Sequence, residues 1–195
     1  MMWGDSRTRG FGSTAPTATS WAGRIASRLP PYFTTQINGV DGDTLFAHSS
    51  TAPLRAAFTA SIAAFVAGAP KSVLILQYDY NDWHNGELAS VYGSFLDAQL
   101  TSFAAGVPGL TTVVFASIDF QDYGTVNGTS GNTIQDFLTQ QTNAVAAHAA
   151  TSRLVLGKPM LPWSSTSGQW FDAVHPADAG YITIANAIAP QVETL

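Results

Sequence analysis

The sequence predicts a three-layer α/β/α sandwich, in which a five-stranded parallel sheet lies between two layers of helices. Short runs rich in Val, Ile, Leu, Phe and Thr alternate with longer helical runs along all 195 residues. Two short runs, Ser72–Tyr78 and Thr111–Ile118, are almost continuously apolar, as is typical of parallel strands buried on both faces. The length suits a single domain, residues 1–195, and the pattern favours the flavodoxin-like strand order 2-1-3-4-5.

The other three predicted strands are shorter. They are a stub at Met1–Trp3, a run at Phe33–Ile37 and a run at Arg153–Leu156. The stub is the weakest strand of the prediction, because only three residues precede Gly4.

Five helices are predicted between these strands from their composition and boundary residues. They cover Ser20–Leu29, Pro53–Ala67, Leu88–Ala105, Thr133–Ala149 and Ala177–Ala189. Ser20 and Asn132 are candidate N-caps, and Gly106 with Pro108 closes the third helix. The Gly-rich segment Gly124–Asn132 is expected to form a loop at the rim of the domain.

Composition and charge exclude several classes of function. The net charge is −5 and only 11% of residues are charged, so the chain lacks the basic face that a nucleic acid requires. Without cysteine there are no disulfides and no thiolate nucleophile. No apolar run is long enough for a membrane span, no signal peptide is visible, and no metal-ligand spacing appears. The lack of metal-ligand spacing leads us to expect no metal site. The low lysine content slightly favours an exported protein or a domain of one.

Four polar segments follow predicted strands or lie in equivalent loops. They are Gly4–Gly10, Asn38–Gly42, Asp79–Trp83 and Asp172–Pro176. Active sites of open parallel sheets lie at the carboxyl ends of the strands, so the four segments are expected to meet at one site.

The residue types in these segments suit nucleophilic catalysis. A serine such as Ser6 becomes a nucleophile only when a base removes its proton, and His175 is the candidate base. Asp172 precedes His175 by three residues, and on a helical turn this spacing lets the carboxylate reach Nδ1 while Nε2 faces the serine. The N–H groups of Ser6 and Gly39 and the amide of Asn81 are candidate donors to an oxyanion.

In this order and spacing, the chain resembles the SGNH (GDSL-type) hydrolases over residues 4 to about 190. The four blocks of the resemblance are GDS ending at Ser6, Gly39, Asn81-Asp82, and Asp172-x-x-His175. The resemblance implies an esterase or acylhydrolase without metal or cofactor. It also implies that Ser6 is the nucleophile, that Gly39 and Asn81 complete the oxyanion hole, and that Asp172 and His175 complete the triad. The G-x-S-x-G elbow of α/β-hydrolases is absent.

One position departs from the family pattern. Asp79 stands where family members usually have Gly, two residues before the asparagine of the third block. A carboxylate pointing at an oxyanion would oppose catalysis, so Asp79 is predicted to point away from Ser6 or to pair with Arg7 or Arg9.

Aromatic and imidazole side chains near the blocks are candidates for lining a substrate cleft. Tyr80, Trp83, His84 and Trp170 are the first choices, with further aromatics at Tyr123, Trp163 and Phe171. The alternative for most of them is packing under loops.

The substrate is expected to be a small molecule or carbohydrate that carries a short acyl ester. A carbohydrate O-deacetylase is the first hypothesis, and an aryl esterase, thioesterase or lysophospholipase with the same mechanism is the second. Acyl transfer to another alcohol is also open. A hypothesis of a different class is a non-catalytic carbohydrate-binding domain on a hydrolase scaffold, which Asp79 and the stub strand favour.

Overall fold

The computed structural model describes residues 1–31, 33–69, 71–116, 124–157 and 168–193. Its strands are β1 (Met2–Gly4), β2 (Ile37–Gly39), β3 (Ser72–Gln77), β4 (Leu110–Ala116) and β5 (Ser152–Leu156). Its helices are α1 (Ser6–Arg9), α2 (Trp21–Ala26), α3 (Leu45–Ser49), α4 (Ala52–Val66), α5 (Tyr80–His84), α6 (Ala89–Gly106), α7 (Ile134–Ala147) and α8 (Asp178–Val192).

The five strands form one parallel sheet in the order β2-β1-β3-β4-β5, which confirms the predicted topology. The stub strand β1 pairs on both sides, with β2 and with β3. Its central position explains why three residues suffice, because two neighbours satisfy its backbone groups.

Two hydrophobic clusters cover the two faces of the sheet and make the three layers. Alternate residues of β3 point to opposite faces, so Leu74 and Leu76 lie in one cluster while Ile75 lies in the other. The first cluster includes side chains of α4, α6 and α7, and the second includes side chains of α2 and α8. Burial on both faces explains the nearly continuous apolar sequence of the central strands.

The second strand lies further along the chain than predicted. The structure has β2 at Ile37–Gly39 rather than Phe33–Ile37, because its register is set by β1: Ile37 is opposite Met2 and Gly39 is opposite Gly4. The end of the predicted strand Thr111–Ile118 lies outside the described residues from residue 117 onward.

Helix boundaries are close to the predictions, with two corrections. Ser20 caps α2 as predicted, with its side chain accepting the N–H of Gly23, but α2 ends at Ala26 rather than Leu29. Asn132 is not the cap of α7. Thr133 is, through a capping box with Asp136, while the Asn132 side chain accepts the N–H of Ala89 instead.

Within the ranges that the structure describes, none of the helices has the length and apolar character needed to span a membrane.

Candidate active site

The turn between β1 and α1 carries Ser6. Asp5 caps α1, with its carboxylate accepting the N–H of Arg7 at 2.9 Å, so Ser6 occupies the first turn of the helix. Gly10 ends the helix at φ 93°, a conformation that favours glycine, and its N–H returns to the carbonyl of Ser6. The nucleophile candidate is therefore held on a short, capped element at the carboxyl end of a central strand.

The structure brings Ser6, His175 and Asp172 together across the whole chain. Ser6 Oγ lies 3.0 Å from Nε2 of His175. Nδ1 of His175 lies 2.9 Å from Oδ2 and 3.0 Å from Oδ1 of Asp172. A carboxylate only accepts, so Nδ1 carries the proton and Nε2 is left to accept the proton of the serine hydroxyl.

The Asp172 carboxylate reaches the His175 ring through a turn that differs from the predicted helical turn. Residues 171–175 form bends, and the Asp172 Oδ1 accepts the N–H groups of Val174 at 2.8 Å and His175 at 2.7 Å. Such a side-chain turn places the carboxylate over the backbone two and three residues on. Desolvation raises the pKa of Asp172, but the hydrogen bonds from the His175 ring and these N–H groups outweigh it and hold the pKa below its usual value. The carboxylate therefore stays charged and keeps orienting the ring.

Asp79, which departs from the family pattern, is paired as predicted. Its Oδ1 lies 3.2 Å from Nη2 of Arg7, and the same nitrogen lies 3.1 Å from Asp5 Oδ2. All three side chains are at most 3% exposed. Arg9 pairs with Asp41 instead, through two bonds of 2.7 and 2.6 Å at the surface. The negative charge of Asp79 is thus opposed by a buried guanidinium that links α1 to the start of α5.

The amide of Asn81 is anchored to the loop that follows β2. Its Nδ2 donates to the backbone carbonyl of Asp43 at 3.0 Å. The amide nitrogen carries two hydrogens, so this bond uses one of them and sets the direction of the other. The side chain of the next residue, Asp82, binds the first turn of α3, which follows this loop, accepting the N–H groups of Leu45 and Phe46 at 3.0 Å each.

Gly39 is required for packing at this point of the fold. A Cβ at Gly39 would lie 2.1 Å from the backbone nitrogen of Arg9, so only glycine lets α1 approach β2 this closely. Neighbouring Val40 donates its N–H to Gly4 of β1, and the backbone groups of successive strand residues point to opposite sides. The N–H of Gly39 therefore points away from β1, and its role as an oxyanion donor stays a prediction.

Gly42 is a second glycine in the same segment that the sequence reasoning did not select as a site residue. It lies in the turn between β2 and α3 with φ 73°, and no described heavy atom lies within 4 Å of where its Cβ would be. The turn is tied to Asn81 through Asp43.

Solved structures with the same architecture are known. The chain superposes on a member of the lipolytic G-D-S-L family from Veillonella parvula with a TM-score of 0.70, at 16% identity over 99% of this chain and 96% of that one. It superposes on the aryl esterase of M. smegmatis with a TM-score of 0.67, at 18% identity over 100% and 97%. A carbohydrate acetylesterase from Sinorhizobium meliloti gives 0.68 at 15% identity over 99% and 97%.

This is the SGNH (GDSL-type) hydrolase fold. The sequence itself matches no protein-family model, and no curated protein matches it. The likeness therefore lies in the architecture rather than in the sequence as a whole.

Within this SGNH fold, the aromatic residues predicted to line the cleft divide by exposure. Trp83 and Trp170 are each 6% exposed and belong to the core, and the indole N–H of Trp83 donates to the carbonyl of Asn132. Tyr80 is equally buried and stacks on exposed His84 at 5.7 Å. Packing is the better interpretation for the two tryptophans. Tyr123 and Trp163 lie outside the described residues.

A different aromatic pair lies beside the His175 imidazole. The ring of Phe11 is 4.5 Å from the ring of His175, and Phe171 meets Phe11 edge to face at 6.0 Å. Phe171 is 61% exposed, although it directly precedes Asp172. Phe11 was not selected from the sequence, because only the tertiary fold brings residue 11 to His175.

Among the described residues, no group of three or more His, Asp and Glu side chains is arranged to hold a metal ion.

Proposed function

We propose that this protein is a serine esterase, carried by one domain of residues 1–195, that hydrolyses short-chain carboxylic esters through an acyl-enzyme. The observation that carries the proposal is the continuous contact from Ser6 Oγ through the His175 ring to the Asp172 carboxylate. A structural serine has no need of an imidazole oriented by a carboxylate, whereas nucleophilic catalysis requires one.

The chemistry follows from this contact. His175 Nε2 takes the hydroxyl proton as Ser6 Oγ attacks the ester carbonyl, and Asp172 stabilises the imidazolium. The bond to the alcohol oxygen then breaks, and His175 protonates that oxygen as it leaves. Water repeats the sequence on the acyl-serine, releasing the acid and restoring Ser6. The oxyanion is stabilised by the backbone N–H groups of Ser6 and Gly39 and by the Asn81 amide.

The alcohol moiety is proposed to be a ring, with an acetylated carbohydrate as the first candidate. His175 delivers its proton to the departing alcohol, so groups packed beside this ring face the alcohol rather than the acyl side. Phe11 and exposed Phe171 supply an aromatic surface there, and aromatic faces stack on sugar rings and aryl groups alike. Structural neighbours that are carbohydrate acetylesterases and aryl esterases support both candidates.

Hydrolysis of a chromogenic short-chain ester and labelling by a fluorophosphonate probe test the proposed activity. Both are expected in the wild type and should disappear in Ser6→Ala. Absence of both from a folded wild-type protein would contradict the proposal and favour the non-catalytic carbohydrate-binding domain.

A panel of acetylated sugars, aryl acetates and alkyl acetates tests the alcohol preference. Phe171→Ala should lower kcat/KM for the two ring-bearing classes more than for alkyl acetates. Phe33→Ala is the matched control, because Phe33 is 51% exposed but precedes β2 at the opposite end of the sheet. Equal losses for all three classes would contradict an aromatic alcohol subsite. Preference for aryl acetates over sugars would favour the aryl esterase.

A further inference from the structure

A second Asp–His pair joins the loop after β2, which contains Asp43, to His48 of α3. The Asp43 Oδ2 accepts the hydroxyl of Tyr78 at 2.7 Å and lies 2.8 Å from Nε2 of His48, which must donate because a carboxylate only accepts. The Oδ1 accepts the N–H of Thr44 at 3.0 Å. The Asp43 side chain is only 11% exposed, so three donors hold a mostly buried carboxylate in one orientation.

The backbone carbonyl of Asp43 holds the Asn81 amide. The bond is 3.0 Å long, and the side chain of neighbouring Asp82 accepts the N–H groups of Leu45 and Phe46. Two consecutive residues of α5 are thereby joined to residues 43–46. The loop after β2 and the start of α5 form one hydrogen-bonded unit.

The partners of Asp43 are themselves fixed. The carbonyl of Tyr78 accepts the hydroxyl of Tyr92 and the amide of Gln141, which ties it to α6 and α7. Burial, followed by the charge of Asp43, raises the pKa of Tyr78, so its hydroxyl remains a donor at all working pH values. The His48 ring packs against Phe58 at 4.9 Å.

An oxyanion donor is effective only if it already points at the place where charge develops. An asparagine amide can rotate about two side-chain bonds, and a bond from one of its hydrogens fixes the direction of the other. The rigidity of the acceptor therefore decides how well the donor is aligned.

We propose that Asp43 is a positioning residue for Asn81, with Tyr78 and His48 holding its carboxylate so that its carbonyl aims the amide at the oxyanion. This inference rests on the proposed esterase function.

Steady-state kinetics of Asp43→Ala test the inference. Loss of one oxyanion donor lowers kcat by roughly 10²–10³-fold, and misalignment should cost a smaller part of this, about 10- to 100-fold, with KM nearly unchanged. Asp43→Asn keeps the shape and one acceptor oxygen and should recover part of kcat. Asp97→Ala is the matched control, since Asp97 also binds a histidine, His148, at 3.0 Å, but on the surface. An unchanged kcat in Asp43→Ala would overturn the proposal.

A double-mutant cycle separates positioning from a general structural effect. If Asp43 acts through Asn81, then Asp43→Ala combined with Asn81→Ala should have the kcat of Asn81→Ala alone. Losses that multiply would overturn the inference while leaving the esterase proposal intact. Failure of the esterase itself is distinguished by absence of fluorophosphonate labelling in the wild type.

Tyr78→Phe provides a second route if Asp43→Ala does not fold. It keeps the buried ring and removes only the donor to Asp43, so kcat should fall while KM stays constant. A Tyr78→Phe protein that melts like the wild type and keeps full kcat would overturn the proposal.

Discussion

Arg7→Met probes the buried ion cluster that links the nucleophile helix to α5. Arg7 Nη2 contacts both Asp5 and Asp79, at 3.1 and 3.2 Å, and the guanidinium also lies 5.6 Å from the centre of the Tyr80 ring. Methionine retains most of the side-chain volume but removes the charge. The substitution leaves two buried carboxylates facing each other without their shared cation.

The expected loss of unfolding free energy is large because all three charged side chains are buried. Removing one partner of a buried ion pair costs about 3–5 kcal/mol, since the charge left behind stays desolvated. For a chain of this length that loss corresponds to a fall in Tm of roughly 6–20 °C. Arg7→Lys keeps the charge without the planar guanidinium and should lose less.

Arg9→Met is a closely matched control. Arg9 also pairs with an aspartate and also lies over an aromatic ring, Phe11 at 5.5 Å, but the pair with Asp41 is 37% and 49% exposed. Surface pairs contribute about 0–1 kcal/mol. The losses in unfolding free energy of Arg7→Met and Arg9→Met, measured by denaturant unfolding, should therefore differ by roughly 3 kcal/mol. Equal losses for Arg7→Met and Arg9→Met would refute the reasoning that burial decides the cost.

Three further predictions concern Asp172 of the triad, the dependence of stability on pH through Asp82, and the packing of Gly39 compared with Gly42. Asp172→Asn should fold normally but lose kcat by about 10⁴-fold, as in other serine triads, because an amide favours the wrong tautomer of His175; kcat within tenfold of wild type would contradict this. Burial raises the pKa of Asp82 to about 7, although the N–H groups that it binds lower it. Folding thus favours the protonated acid, and the stability that protonation contributes is lost as the pH rises from about 4 through 7. Relative to Asp82→Asn, the wild type should lose up to about 1.4 kcal/mol of unfolding free energy per pH unit in this window, and a pH-independent difference measured by denaturant unfolding would be inconsistent with it. Gly39→Ala should unfold at markedly lower denaturant than Gly42→Ala, because a Cβ meets backbone at 2.1 Å at Gly39 and open space at Gly42, where only the positive φ costs about 1 kcal/mol. The reverse order would contradict the packing role of Gly39.

Much of the fold could be predicted from local pattern. The apolar runs of β3 and β4 reflect burial on both faces, so their composition alone identifies them as central strands. The edge strand β2 was displaced, because Phe33–Ile37 has the composition of a strand but its pairing depends on which residues β1 can reach. Short helices α1, α3 and α5 were not predicted, since four or five residues carry too little periodicity to be detected.

The candidate site, like the fold, could be predicted from the sequence only in part. Polar residues at strand ends singled out Ser6 and Asn81 as candidates, because a parallel sheet gathers its carboxyl ends at one edge. Asp172 and His175, just before the last helix, were singled out by their spacing of three residues. Trp170 was proposed as a cleft residue from its nearness to Asp172 in the chain, yet its side chain packs in the core while Phe171 is exposed. Neighbours in sequence need not point to the same side of a loop.

The sequence by itself predicted the layer architecture and the candidate reactive groups, because these depend on residue type and on period along the chain. The strand order was predicted from the order that five-stranded α/β sheets of this kind commonly adopt. Only the tertiary structure decided that Ser6 Oγ lies 3.0 Å from a ring 169 residues away, that Arg7 rather than Arg9 opposes Asp79, and that the Asp43 carbonyl holds Asn81. Those contacts join distant segments, and their distances are set by packing of the whole sheet and its helices rather than by any local preference.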